Sequence, residues 1–261
     1  MTRTYVVTGT ASGIAAETSA LLKERGFTVI GVDIHNADVN ADLSTSLGRK
    51  EAVRKVLDLS GGKIDAVIAC AGLAHPIANT VSVNFFGVTE FLDGLLPTLT
   101  KSAAPRAVVT SSMASLMPNS PELVDAMLAN DEAKSVAIAQ GLVDQGPEIA
   151  SLIYGSTKRA ISRWIRRECI KPAWAGAGIP LNAVGPGIVE TPMVAEMIAT
   201  PEARTAIAQM VPMPLNGYIK PRQIAYLLAW LASEENTHTT GQTIYTDGGS
   251  DATLRGDDVW K

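Results

Sequence analysis

Short apolar runs and longer helical patterns alternate along the chain. Thr4–Thr8 reads TYVVT, a β-branched and aromatic run of strand length. Ile14–Arg25 follows with a helical pattern, and Gly26 supplies its stop. Phe27–Asp33 (FTVIGVD) is a second strand that lacks clean alternation, as a strand buried on both faces does. Val39–Leu43 is a short third strand and Leu47–Leu59 a helix. Ile64–Cys70, Arg106–Ser111, Pro180–Val184 and Gln242–Thr246 continue the strand series. Between them Val81–Leu99, Ser151–Trp174 and Ile219–Ser233 read as helices, and Thr200-Pro201-Glu202 has N-cap and first-turn chemistry for one more. About seven strands alternating with helices predict an α/β protein with a doubly wound parallel sheet, covered on both faces. No break in composition marks a second domain, so residues 1–261 are expected to form a single one.

Composition narrows the function. Apolar residues make 46% of the chain and charged residues 18%, which favours broad burial over disorder. The formal net charge of −4 argues against a partner recognised by neutralising phosphates, so no nucleic acid is expected. The longest stretch without a formal charge, Ala66 to Thr89, contains His75, Pro76, Asn79 and Asn84, so no membrane span is expected. The first residues lack a signal-peptide pattern, because Thr8-Gly9 interrupts the apolar run after Val7. Two cysteines, Cys70 and Cys169, are too few for a disulfide framework and fit a reducing compartment, so a cytoplasmic location is expected. His35, His75 and His238 are scattered without ligand spacing, so no metal is expected.

Chemistry concentrates at two places. Gly9-Thr-Ala-Ser12-Gly13-Ile14-Ala15 joins the first strand to the first helix. A tight turn there brings backbone N–H groups to a pyrophosphate at the helix N-terminus, and glycine permits the close approach. Asp33 closes the second strand, 20 residues beyond Gly13. A carboxylate there accepts the adenosine ribose hydroxyls and repels a 2′-phosphate, and Val32, Ile34 and Ser12 offer such a phosphate no positive charge. This end predicts a Rossmann-type site for NAD. Farther along, Tyr154 and Lys158 stand at i and i+4 of a helix, so phenol and ammonium share one face. A positive charge at about 4 Å is worth up to ~4 kcal/mol at an effective dielectric of 20, enough to bring a tyrosine down toward neutral pH as a general acid or base. Taken singly, each feature also has a structural reading: a plain glycine turn, a strand-end aspartate, a solvated Tyr/Lys face, a strand-capping Ser112, a tolerated polar Asn84.

Together they resemble the short-chain dehydrogenase/reductase family over nearly the whole chain. The resemblance rests on Thr8-Gly9-x-x-x-Gly13, Asp33, Asp42-Leu43, Cys70-Ala71-Gly72, Asn84, Ser112, Tyr154-x-x-x-Lys158, Asn182, Pro186-Gly187 and Thr191, in order and spacing. It implies that Tyr154 is the acid/base and that Ser112 holds the substrate oxygen. It implies that Lys158 binds the nicotinamide ribose and lowers the Tyr154 pKa, and that Asn84 positions a water linking Lys158 to solvent. Asp42 and Leu43 stand as adenine contacts, and Ile188 and Thr191 as nicotinamide carboxamide contacts. Gly9, Ser12, Gly13, Ile14, Asp33, Ile34, Cys70, Ala71, Gly72, Pro186 and Gly187 complete the expected cofactor site.

Three departures from the family pattern stand out. Ala15 replaces the usual third glycine, a change the related dinucleotide fingerprint accepts. Cys70 stands where the family commonly has asparagine; a buried thiol is expected there, without loss of chemistry. Ser112 and Tyr154 are 42 residues apart, far beyond the usual interval, so residues 118–147 form an insert. With the Ile34–Leu43 segment and the tail Asp247–Ala252, this insert points within the family to its bacterial, NAD-linked members that oxidise 3α-hydroxysteroids and reduce carbonyls. The substrate lid is expected over 188–217. Met193, Met197, Met210 and Met213, with Met113 and Met117 after Ser112, suit an adaptable apolar pocket, although packing the lid to the body explains them equally well. No charge occurs between Thr191 and Val194, which favours a small apolar alcohol or ketone, a steroid foremost.

Other readings remain: a short-chain dehydrogenase for another apolar alcohol, an NAD-dependent epimerase or dehydratase, or a non-catalytic NAD sensor. The second usually carries a larger substrate domain, and the third tends to lose the tyrosine or the serine. The insert carries Glu122, Asp125, Asp131, Glu132 and Asp144 against one Lys134. Leu123, Val124, Met127 and Leu128, then Val136, Ala137 and Ile138, give it an apolar face. An acidic helical insert just before the Tyr154 helix would obstruct the family's pairing through that helix. A homodimer through Ile219–Ser233 and Gln242–Thr246 is therefore expected, with the tail to Trp260 crossing it.

Overall fold

The computed structural model describes residues 2–257. Among them, seven strands lie parallel in one sheet: β1 (Thr4–Thr8), β2 (Thr28–Asp33), β3 (Val39–Asn40), β4 (Ala66–Ala69), β5 (Arg106–Thr110), β6 (Leu181–Pro186) and β7 (Thr243–Thr246). Their order is β3-β2-β1-β4-β5-β6-β7. The helices are α1 (Gly13–Glu24), α2 (Ser46–Ser60), α3 (Asn79–Val81), α4 (Gly87–Leu99), α5 (Pro121–Leu128), α6 (Glu132–Asp144), α7 (Pro147–Ala150), α8 (Leu152–Glu168), α9 (Pro201–Met210), α10 (Pro221–Leu231) and α11 (Ser250–Arg255). None is long and apolar enough to cross a membrane.

Successive strand residues point to opposite faces of the sheet, and here both faces are buried. Val6, Val67 and Val109 join a core with Val56 of α2, Leu95 of α4 and Ile161 of α8. Tyr5, Val7, Ile68 and Val108 join a second core with Leu22 of α1 and Leu228 of α10. This double cover is why the strands read as unbroken apolar runs. Strand order reverses between β1 and β4, and the loops beyond the carboxyl ends of these strands part to leave a crevice there.

Several boundaries differ from expectation for physical reasons. The helix expected at Val81–Leu99 begins at Asn79 and contains a π-helical turn, Ser82–Phe86, between α3 and α4. The helix expected to reach Trp174 ends at Glu168, shortly before Pro172, which cannot donate to a helical carbonyl. Trp174 then folds back edge-on to Trp164, with ring centroids 6.1 Å apart. Helix α11 was not expected; Asp247 builds it by accepting from the amides of Gly249 and Asp251. The tail to Trp260 lies outside the described residues.

The insert forms α5, α6 and α7. Leu123, Val124 and Met127 of α5 are buried in the core shared with α8. In α6 the inward positions are Ser135 and Ala139, flanked by Ile138 and Leu142, while Ala137 is exposed. Three consecutive residues cannot share one helix face at 3.6 residues per turn, so the expected Val136-Ala137-Ile138 set is replaced by this spaced one. Between β6 and α10, the segment over the carboxyl end of the sheet is closed at its base by a parallel bridge between Val189 and Ile219. Thr200 caps α9 within it, its hydroxyl accepting from the Ala203 amide at 3.1 Å.

Candidate active site

A cleft of about 370 Å³ opens at the carboxyl ends of the strands. Gly9, Ser12, Gly13 and Ile14 line it from the β1–α1 turn, and Asp33 and Ile34 from the end of β2. Asp42 and Leu43 line it after β3, and Cys70, Ala71 and Gly72 after β4. Ser112, Tyr154 and Lys158 stand at its inner end, with Pro186, Gly187 and Thr191 closing that side.

The turn after β1 is shaped by contact. Gly9 has a φ of +84°, and a Cβ there would sit 3.0 Å from the Ala71 backbone. Gly13 has a φ of +58°, and its Cβ would press on Thr191 Cγ2 at 3.2 Å. Ser12 occupies the N-cap of α1 with no hydrogen bond from its side chain, so the side chain satisfies none of the first-turn amides. Asp33 braces the turn: its carboxylate accepts from the Ala11 amide at 2.9 Å and the Ile34 amide at 2.7 Å. Ile34 is 60% exposed beside it.

Helix α8 presents Tyr154 and Lys158 because its neighbours allow close approach. A Cβ at Gly155 would lie 2.9 Å from the Pro118 carbonyl oxygen and 3.2 Å from that of Ala114, so glycine lets the loop after β5 settle on α8. Ser111 ties the same loop to α8, its hydroxyl donating to the Lys158 carbonyl at 3.2 Å. Ser112 is extended and its hydroxyl accepts from the Ala114 amide at 3.1 Å. Its hydroxyl lies on the side of the Tyr154 phenol and favours the phenol's charged form.

Lys158 is buried, and its Nζ donates to the Thr110 carbonyl at 2.9 Å. It lies 5.6 Å from the centre of the Tyr154 ring. Loss of water around the ammonium pushes its pKa down to about 8, against a smaller opposing influence from Cys70. Burial likewise pushes the Tyr154 phenol up, and the nearby Ser112 hydroxyl offsets only part of this. The expected lowering of Tyr154 by Lys158 is thus not found here: burial raises the phenol, and the lysine, although shifted toward its neutral form, keeps its charge at neutral pH without offsetting that rise.

Two expected residues stand back from the cleft wall. Asn84, in the π turn, is 1% exposed. Its side chain accepts from the Leu73 amide at 2.7 Å and donates to the Leu73 carbonyl at 2.9 Å and to Thr157 Oγ1 at 3.1 Å, so it braces the β4 loop against α8. Ile188 packs instead with Met113, Ile198, Ile207 and Val211, and Val189 lines the cleft in its place. Cys70 is half-buried; its thiol lies 2.7 Å from Thr110 Oγ1 and is pushed up to about 11 by burial. Sequence reasoning missed Thr110, whose carbonyl holds Lys158. Its only signal was its place at the last position of β5, where a carbonyl runs out of strand partners.

The methionines divide. Met193 lines the cleft, Met113, Met117 and Met213 pack the apolar cluster under the covering segment, and Met197 and Met210 are exposed. Glu190 pairs with Lys220 at the base of that segment. Among the described residues, no group of three His, Cys, Asp or Glu side chains converges as metal ligands would.

A family model described as enoyl-(acyl carrier protein) reductase matches residues 9–251. The chain is 38% identical over 255 residues to the 3-alpha-hydroxysteroid dehydrogenase/carbonyl reductase of Comamonas testosteroni, covering 96% of this chain and 97% of the relative. It is also similar to the crystal structure of the 3-alpha-hydroxysteroid dehydrogenase from Pseudomonas sp. B-0831 complexed with NADH, at a TM-score of 0.88 and 39% identity, over 97% of this chain and 99% of the other. Levodione reductase shares the fold at a TM-score of 0.75 and 20% identity, over 96% and 98% of the two chains.

Proposed function

Because the chain belongs to the short-chain dehydrogenase/reductase family, we propose that it is an NAD(H)-dependent oxidoreductase that interconverts secondary alcohols and ketones, with 3α-hydroxysteroids and bulky apolar carbonyls as its substrates. The observation that carries this reading is the meeting of Ser112, Tyr154 and Lys158 at one end of a glycine-lined cleft whose other end holds Asp33. The dinucleotide fits the residues present. Side chains at Gly9 and Gly13 would fill the turn, and the uncapped start of α1 offers amides to a pyrophosphate. Asp33 keeps acceptor capacity for ribose hydroxyls, and exposed Ile34 brings no cation for a 2′-phosphate. The relative solved with NADH supports this choice.

When bound, the nicotinamide supplies or accepts the hydride. Tyr154 Oη gives a proton to the ketone oxygen in reduction and takes it from the hydroxyl in oxidation. A phenol held neutral by burial is already in the form that reduction requires. Ser112 orients the substrate oxygen toward Tyr154 from the neighbouring loop. Lys158, held by Thr110, meets the nicotinamide ribose. Asn84 holds the loop at Leu73 and Gly72, and positions a water on the Lys158 side. Thr191 and the backbone at Ile188 receive the carboxamide. Asp42 and Leu43 flank the adenine.

Residues 188–217 act as the substrate lid over one domain, and their cluster of methionines with Ile198, Ile207 and Val211 favours apolar substrates. The enzyme works as a homodimer in the reducing cytoplasm, with two free cysteines compatible with that setting. A panel of 3-ketosteroids, quinones, short polyols and acyl thioesters, ranked by kcat/KM with NADH, tests the substrate assignment. Ketosteroids should lead the ranking; turnover confined to polyols or thioesters would overturn it.

A further inference from the structure

Resting on the reading of the cleft as an NAD site, we propose that Arg49, clamped by Glu132 of the insert and Glu90 of α4, is a positioning residue that holds the adenine wall of that cleft. The insert thereby acts as a buttress for cofactor binding.

Arg49 is 1% exposed, and four of the five N–H groups of its guanidinium are hydrogen-bonded. Nε donates to the Leu43 carbonyl at 2.9 Å and Nη2 to the Ser44 carbonyl at 3.0 Å. Nη1 and Nη2 grip the Glu132 carboxylate in a two-point bond of 2.9 and 2.5 Å. Nη1 also forms an ion pair with Glu90 Oε1 at 2.9 Å. One side of the fork thus fixes two consecutive carbonyls of the turn after β3, and the other is fixed by helices α6 and α4. A planar fork held by four hydrogen bonds and a second carboxylate has little freedom to shift.

The turn it holds is part of the cleft. Asp42 and Leu43 line the side that receives adenine. Their other contacts lie within the turn itself and against α2 and α4. The turn closes locally through Asp42 Oδ1, which accepts from the Ser44 amide at 2.9 Å, and Thr45 Oγ1, which accepts from the Gly48 amide at 3.0 Å. A Cβ at Gly48 would lie 1.9 Å from the Asp42 carbonyl oxygen, so the turn already sits hard against α2. Leu43 in turn sits against Gly87, where an added Cβ would come within 3.1 Å of the Leu43 carbonyl oxygen. Glu132 is the first residue of α6, delivered there by the Asp131 cap. Glu132 therefore links the insert to the adenine side of the cleft.

The experiment is fluorescence titration of NADH on the full chain and its Glu132→Ala and Glu132→Gln variants. AMP inhibition and kcat at saturating NADH are measured alongside. Glu132 is at the surface end of the cluster, so both variants should fold, and Tm checks this. Glu132→Ala should raise the NADH Kd by about fivefold to tenfold. The AMP inhibition constant should rise by the same factor, while kcat at saturation stays within about twofold. Glu132→Gln, which keeps an acceptor for Arg49, should recover part of the loss. Asp125→Ala, which breaks the insert's other pair with Arg163, should leave the NADH Kd unchanged. Unchanged NADH and AMP constants in Glu132→Ala, or a fall in kcat with no change in Kd, would overturn the proposal. Absence of NADH binding to the unsubstituted protein would instead overturn the cofactor reading on which it rests.

Discussion

Tyr154 and Lys158 share one face of α8, yet their chemistry is set by burial more than by each other. Replacing Tyr154 by Phe removes the phenol oxygen proposed to transfer the proton and leaves the ring in place. A loss of about 10³-fold in kcat with NADH affinity nearly unchanged is expected. Lys158 tests the opposite balance. Its folded pKa of about 8 lies below the ordinary 10.5, so between these values the unfolded chain holds more protons. Stability from this group therefore rises as pH climbs from about 8 toward 10.5, and at neutral pH the buried ammonium is a burden. Lys158→Met should raise Tm at pH 7 while abolishing turnover, by an amount equivalent to at most ~3 kcal/mol, and the gain should shrink at pH 10. A lower Tm than the parent at pH 7 would contradict that account. Asp33 is the residue proposed to select the cofactor. A like charge at about 4 Å costs ~4 kcal/mol at an effective dielectric of 20, so kcat/KM should favour NAD over NADP by ~100-fold or more. D33A combined with I34R should close most of that gap, at some cost to both cofactors because the carboxylate also braces Ala11.

At the level of elements, α8 is useful only if the loop after β5 reaches it. Gly155 makes that contact possible, and its missing side chain faces two backbone carbonyls that cannot swing away. Gly155→Ala should destabilise the fold by about 1–3 kcal/mol and lower kcat by moving Ser112 away from Tyr154. Unchanged Tm and kcat would show that the loop has slack. The same elements mark what could be read in advance. Most strands and the glycine turn follow from local pattern, because both sheet faces are buried and those strands carry apolar runs, whereas β3 gives the core only Val39. The residues that line the cleft were legible because they sit at strand ends, in motifs fixed by close backbone approach. The π turn at Ser82–Phe86 was not, since one widened turn leaves no periodic trace over so few residues. Nor was the Arg49 clamp, which joins residues 83 positions apart through charges that individually look like solvated helix faces. The neutral bias of Tyr154 and Lys158 was equally hidden, because sequence spacing reports proximity and says nothing of the water removed around it.

For the whole molecule, the insert and the sheet edge together bear on assembly. The insert lies against α8: Leu123, Val124 and Met127 share the core beneath it, and Asp125 pairs with Arg163 of α8 at 3.2 Å. A second copy approaching α8 would meet the acidic outer side of α5 and α6 and, across a two-fold axis, its own like charges. The opposite end of the sheet is different. Strand β7 is the last in the order, so one row of its backbone groups lacks a strand partner. Beside it, α10 turns Tyr226 and Trp230 outward at 51% and 38% exposure, an aromatic pair of the kind that anchors interfaces. A homodimer through β7 and α10 would cover both, and burial of about 800 Å² per partner is the scale a stable contact needs. Light scattering on the purified protein should therefore give two copies. Trp230→Glu together with Tyr226→Glu should give one copy with little change in Tm, since both side chains point away from the core. Replacing 118–147 by a short loop should allow four copies, because it removes the acidic insert from α8. A stable tetramer of the unsubstituted protein would refute the obstruction, and a dimer that survives both glutamates would move the interface away from α10.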